Sequence, residues 1–314
     1  MINRHVSTCY LLIAVLLSGC NSVKEPQPGP QSEEIPQEVA SNVYNLFPGA
    51  TELVARTFIR DKVWKVNFKQ DHSQFVSVLN KTQRLAHAKL LDEQVPETLR
   101  RIADSQLIQG GTYTNFREDD SSPGYPQQFC AEYRWNNQNF TIRWVNSVDD
   151  WSSLDKAIYM FPETELTYYS SYEELPDKIQ SLLIPRYFQP GGAKVYVRNG
   201  TPSVFAVGGL TTSLSYNDML IDDTGKVFFS MMGNIEYYNA LDEFPKKIRD
   251  YIKNNTAYAP MVYRYGLRFE DGPFGGYRVD LTPAQVMLSR QEVNLYFDKD
   301  GNLVETYFTA LFRQ

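Results

Sequence analysis

The sequence is poor in the side chains that most enzyme chemistry needs. It has three histidines and three cysteines in 314 residues, thin material for a soft-metal site. His72, in Asp71-His72-Ser73, reads as a solvated turn residue. Neighbouring side chains on a turn or strand point apart, so that triplet cannot be a catalytic triad. His87, in Ala86-His87-Ala88, reads as a strand-face histidine. No Gly-x-Ser-x-Gly elbow, His-Glu-x-x-His, phosphate loop or dinucleotide fingerprint occurs, so no catalytic residue, metal ligand set or cofactor emerges. Acid pairs such as Asp119-Asp120, Asp149-Asp150 and Asp222-Asp223 leave a glycosidase open, because sequence does not set the separation of two carboxylates. Basic residues are outnumbered 31 to 37, which argues against nucleic acid and against a polybasic grip on anionic lipid.

Long apolar runs are also scarce. Cys9–Leu17 would reach about 14 Å as a helix, half of a bilayer core, which suits a signal-peptide core rather than a membrane span. It ends in Leu17-Ser18-Gly19-Cys20. That tetrad resembles the lipobox of bacterial lipoproteins, which implies cleavage after residue 19, diacylglycerol on Cys20 and a palmitate-bearing membrane anchor. Residues 21–34 hold three prolines and one apolar side chain, too little to offset the entropy of ordering, and read as a lipidated tether over 20–34. Asn21 rather than Asp after the cysteine favours the outer membrane by resemblance to enteric lipoproteins. The expected location is therefore the bacterial cell envelope, periplasmic or surface-exposed. Only Cys130 then remains as a thiol, and Phe129-Cys130-Ala131 reads as a small buried hydrophobe.

One theme organises the body. It reads Glu33-Glu34-Ile35-Pro36, Glu93-Gln94-Val95-Pro96, Glu173-Glu174-Leu175-Pro176 and Asp242-Glu243-Phe244-Pro245. Each copy precedes apolar residues at helical spacing, such as Val39 and Val43 or Ile248 and Ile252. Proline is tolerated in a first helical turn, acids there complement the helix dipole, and the apolar residue can staple back onto the helix. Strand signals follow each copy: Glu52–Arg60, Val63–Phe68, Gln74–Leu79 and Arg84–Leu90; Gln128–Trp135 and Phe140–Val145; Lys194–Arg198, Val204–Val207, Met219–Ile221 and Lys226–Met231; Val293–Phe297 and Leu303–Phe308. Asp222-Asp223-Thr224-Gly225 and Asp298-Lys299-Asp300-Gly301-Asn302 read as hairpin turns rather than calcium loops. The expectation is an α+β fold of tandem repeats, one helix and then a three- to four-stranded antiparallel sheet, with helices on one sheet face. Two repeats per domain would give domains at 35–165 and 170–314.

Trp64-Lys65-Val66-Asn67-Phe68 and Phe297-Asp298-Lys299-Asp300-Gly301, with the helix-plus-sheet theme in an exported lipoprotein, resemble the PepSY-like group, related in fold to the β-lactamase-inhibitor protein. Gly208-Gly209 and the polar stretch Arg117–Pro126 depart from that pattern. The resemblance implies a non-catalytic protein that binds other proteins, inhibition being one outcome. The candidate contact residues are aromatics near presumed loops: Tyr168, Tyr169, Tyr172, Tyr237, Tyr238, Phe274 and Tyr277, rigid amphipathic rings suited to protein or sugar. The expected partners are a membrane, through the lipid, and an envelope or extracellular protein. A glycan-binding or glycan-processing lipoprotein and a structural envelope component stay open.

Overall fold

The computed structural model describes residues 35–91, 94–104, 107–119, 128–146, 156–162, 164–183, 193–198, 201–208, 217–231, 233–284 and 289–312. The signal segment, Cys20 and the tether lie outside the described residues.

Helices α1 (Gln37–Leu46), α2 (Glu97–Asp104), α3 (Asp177–Leu183) and α4 (Lys246–Asn254) each begin at the residue after a proline of the repeated theme. The proline carbonyl accepts the first helical bond, from Ala40, Arg100 and Gln180 at 3.0 Å and from Arg249 at 3.2 Å. The proline lacks only an N–H that a helix start could not use. The apolar residue before it is buried at Val95, Leu175 and Phe244, as are Val39, Ile179 and Ile248 three residues after it. Each such burial contributes about 1.5–3 kcal/mol. The acids serve the turn ahead of the helix: the Glu174 carboxylate accepts from the Ser171 N–H at 2.9 Å, and that of Glu243 from the Asn239 N–H at 2.8 Å.

The strands are β1 (Thr51–Ile59), β2 (Val63–Gln70), β3 (Ser73–Leu79), β4 (Arg84–Leu90), β5 (Thr112–Asp119), β6 (Gln128–Trp135), β7 (Gln138–Asn146) and β8 (Lys156–Phe161). There follow β9 (Thr164–Ser170), β10 (Ala193–Arg198), β11 (Thr201–Gly208), β12 (Asn217–Asp222) and β13 (Val227–Ser230). The last are β14 (Asn234–Tyr238), β15 (Met261–Glu270), β16 (Gly276–Pro283), β17 (Ser289–Asp298) and β18 (Leu303–Phe312). A 13-stranded sheet runs β1 to β8 in sequence and then β18-β17-β16-β15-β14, and a five-stranded sheet runs β13-β12-β11-β10-β9.

This pairing corrects the expected tandem helix-then-sheet repeats. The strands do not close into one small sheet per helix; the fold is mostly antiparallel sheet, with four short α-helices among the described residues. Leu90 pairs with Arg117 across β4–β5, and Met160 with Phe308 across β8–β18. Strand edges supply the reason. Each separate small sheet would leave two rows of unpaired N–H and C=O groups, whereas the pooled long sheet ends only at β1 and β14. The two expected domains meet along β8 and β18.

The helices α1, α2 and α4 pack on one face of the long sheet. Val39 and Val43 bury against Trp64, Val66, Phe68 and Leu79. Ala103 of α2 and Ile248 and Ile252 of α4 join one cluster with Ile142, Met160, Phe308, Val293 and Leu281, which pair in turn across β7, β8, β18, β17 and β16. On the opposite face, Val76, Val78, Ala86 and Ala88 pack with Tyr168, Val195, Phe205 and Ile221 of the five-stranded sheet and with Ile179 and Leu183 of α3. The other side of that small sheet places Tyr196, Val204, Leu220 and Phe229 against Phe269 and Val304. The small sheet thus packs on both the β1–β4 and the β15–β18 regions.

Candidate functional site

The face of the long sheet opposite α1, α2 and α4, on which the small sheet packs, changes character over β5–β8 and β15–β18. In place of aliphatics it carries charged and aromatic side chains, aligned by the strand register. One row runs Arg117, Cys130, Arg143, Tyr159, Thr309 and Glu292. The next runs Tyr307, Asn294, Asp280 and Tyr265. A third runs Glu305, Tyr296, Arg278, Leu267 and Tyr237. Because side chains alternate with period two, all three rows share one face.

Bonds within the array fix its geometry. Arg278 donates to both oxygens of Asp280, Nε at 2.8 Å and Nη2 at 2.9 Å. Its guanidinium lies 5.6 Å from the Tyr265 ring centre and 5.7 Å from that of Tyr296. Glu292 accepts from Arg264 at 2.5 Å and from the Asn294 amide at 2.8 Å. Glu305, buried, accepts from the Tyr307 hydroxyl at 2.6 Å and from that of Tyr196 in the small sheet. Arg143 reaches Asp119 at 3.5 Å and lies 5.4 Å from the Phe161 ring.

Burial sets the electrostatics. It lifts the Asp280 carboxyl above the ordinary range, outweighing the opposite pull of Arg278. Burial first and then Glu305 hold the Tyr307 hydroxyl well above its usual value. Tyr263 is pushed up to about 12 by burial, with Glu243 and Asp280 adding to it. These carboxylates are held by nearby donors, and Glu305 is bonded by Tyr196 of the small sheet, so the array suits holding the two sheets together better than proton transfer. One nucleophile–base spacing does occur, Ser77 Oγ to His87 Nδ1 at 2.6 Å, with both residues buried. It sits on the helix face, with the His87 ring 4.7 Å from that of Phe47 and 5.3 Å from that of Phe75, and acts as packing.

The expected aromatic contacts scatter. Tyr168 is core, 1% exposed and stacked on Phe58 at 5.7 Å, so its place in a binding surface is corrected: β9 turns it toward Val195 and α3. The Tyr169 side chain lies outside the described ones. Tyr172 is half-buried and donates to the Gln180 carbonyl at 3.1 Å. Tyr238 and Tyr277 do come together, 6.4 Å apart around Phe244, but on the helix face, where they seat the start of α4. Phe274 is half-buried in the β15–β16 turn. Among the described candidates Tyr237 alone stands open to solvent, 70% exposed on the end strand β14, with Ile235 beside it at 50%.

The Arg278–Asp280 and Glu292–Asn294 pairs escaped the sequence reading. Their signal is alternation: Tyr277, Val279 and Leu281 go to the helix cluster while Arg278 and Asp280 go to the opposite face. Charges two apart in such a strand mark a polar face opposite a packed one. Among the described residues no cluster of metal-ligating side chains occurs, and no helix is long and apolar enough to cross a membrane. No family model matches the chain, and no curated protein sequence matches it.

Proposed function

We propose that this chain is a non-enzymatic lipoprotein of the bacterial cell envelope, anchored through Cys20, that binds a protein partner at the β14 end of its long sheet. The observation that carries the reading is Tyr237 and Ile235, 70% and 50% exposed side by side on the open edge strand β14. Aromatic and arginine side chains are the usual anchors of protein contacts. The bonds among Arg278, Asp280, Glu292 and Asn294 hold the neighbouring strands β16 and β17 in register, so a partner meets a preordered edge. Arg264, exposed on β15 and paired with Glu292, extends the surface. Of the PepSY-like resemblance, protein binding is the part this reading carries forward. The sequence of residues 9–20 supports the anchor.

The test is capture from envelope extract on the immobilised chain from residue 21 onward, with a Tyr237→Ala, Arg264→Ala double variant beside it. A protein retained by the parent and lost by the variant supports the reading. A partner held equally by both sinks the assigned surface. Radiolabelled palmitate incorporated by the parent but not by Cys20→Ala supports the anchor, and label surviving that substitution removes it.

A further inference from the structure

A second opening lies where the long sheet splits. Strands β4 and β5 pair only over Ala88–Leu90 and Arg117–Asp119, and a last bond runs from the Leu91 N–H to the Phe116 carbonyl at 2.9 Å. Strand β5 then bulges between Thr114 and Arg117, with Asn115 at a φ of 50°, and diverges from β4. Over Thr112–Asn115 it keeps β6 on one side and has, among the described residues, no strand on the other. The gap is a crevice of about 650 Å³, within the range of ligand sites.

Its walls have three kinds of surface. The β5 edge presents main-chain donors and acceptors at strand spacing, four residues or about 13 Å. Leu90, Leu91, Val95 and Phe116 give an apolar floor. Arg100, on the exposed side of α2, reaches the same space. Its neighbour Arg101 is neutralised by Glu97 at 2.5 Å, while Arg100 has no carboxylate partner among the described residues.

We infer that this crevice receives an extended peptide segment bearing a carboxylate. The peptide main chain adds as a strand to the Thr112–Asn115 edge, one apolar side chain meets the floor, and the carboxylate pairs with Arg100. A strand edge is matched by another peptide main chain, which favours a peptide over a sugar. The Arg100 guanidinium, without a carboxylate partner among the described residues, sets the sign of the charge. The site stands apart from the β14 edge and does not rest on it.

The experiment uses the full chain from residue 21 and labelled octapeptides of alternating threonine and valine, each with one glutamate, beside a lysine series and a glutamate series N-methylated at alternate amides. Binding is read by fluorescence anisotropy and by amide hydrogen exchange. The expected result is saturable binding of the glutamate series with new protection at Thr112–Asn115. Arg100→Ala should weaken it about tenfold, the loss of one charge-assisted bond, and N-methylation should abolish it. Arg100 is exposed, so unchanged circular dichroism is expected of the variant. No saturable binding overturns the inference, as does binding indifferent to Arg100→Ala and N-methylation, or binding without protection at Thr112–Asn115. Protection produced there by soluble oligosaccharides, and not by peptides, gives the crevice to a glycan and also overturns it.

Discussion

Arg278 and Asp280 stand two residues apart on β16 and face the same way, so their ion pair closes within one strand. Both bonds are short, 2.8 and 2.9 Å, and the side chains are 5% and 0% exposed. A buried pair contributes little net stability against an apolar substitute, but breaking it strands a charge. Asp280→Asn removes the carboxylate that Arg278 holds with two bonds and leaves Glu292 more distant, at 3.9 Å. The expected cost is about 3 kcal/mol, read as a fall in the urea midpoint. An Arg278→Met, Asp280→Leu double variant should recover more than half of it. A single-variant loss below about 1 kcal/mol would mean that water or Glu292 already neutralises Arg278.

Stability should fall in alkali. Burial holds the hydroxyls of Tyr168, Tyr258 and Tyr307 above their ordinary value, while the same groups in the unfolded chain lose their protons near pH 10. Their contribution is therefore whole below about pH 10 and is lost as pH rises above it toward the folded values. Each adds up to about 1.4 kcal/mol per pH unit of slope. Denaturant unfolding at a series of pH values should show a flat region near pH 8 and a steep fall above pH 10. Tyr258→Phe should make that fall shallower. An equal slope in parent and variant would show that Tyr258 ionises freely in the folded protein.

Two glycines separate crowding from backbone strain. A Cβ on Gly276 would lie 2.3 Å from the Phe297 carbonyl oxygen and 2.6 Å from the Phe229 ring, whereas one on Gly272 meets nothing within 4 Å but sits at a φ of 53°. Gly272→Ala should cost about 1 kcal/mol, the left-handed strain alone. Gly276→Ala should cost about 3 kcal/mol, because backbone must move, and should alter the near-ultraviolet circular dichroism through Phe229 and Tyr296, 5.4 Å apart. Equal losses would mean that the small sheet yields at β13.

What was legible in the sequence was local. The Φ-Pro theme marks all four helix starts because cap and staple are settled within about five residues. The hairpin turns are as local: Asp222 accepts from the Thr224 and Lys226 N–H groups, and Asp298 from those of Asp300 and Asn302. Sheet membership was not legible. Met160 and Phe308 pair across 148 residues, and nothing near either residue names the other. The aromatics failed for a related reason. In Leu166-Thr167-Tyr168-Tyr169-Ser170 the alternation admits either tyrosine as the inner one, and packing against Val195 and α3 makes it Tyr168. Tyr237 is free because β14 ends the sheet, a property of the whole strand order.

Cys130 offers a probe of that long-range structure. It is fully buried in β6, and burial raises its thiol pKa against the weaker pull of Arg143. A thiol held protonated and covered should not react with an aromatic disulfide reagent in the native state. Reaction then requires opening, and the question is how much must open. Cys130 pairs with Arg117 on one side and Arg143 on the other, in the middle of the long sheet, so release of one edge strand does not reach it. The labelling rate in rising urea should therefore report global unfolding, with a denaturant slope equal to that from circular dichroism. Cys130→Ala should abolish labelling at a cost of about 1 kcal/mol. A rate with little urea dependence would instead reveal local opening of β5 and β6 beside the crevice, and would show that the long sheet is not one cooperative unit.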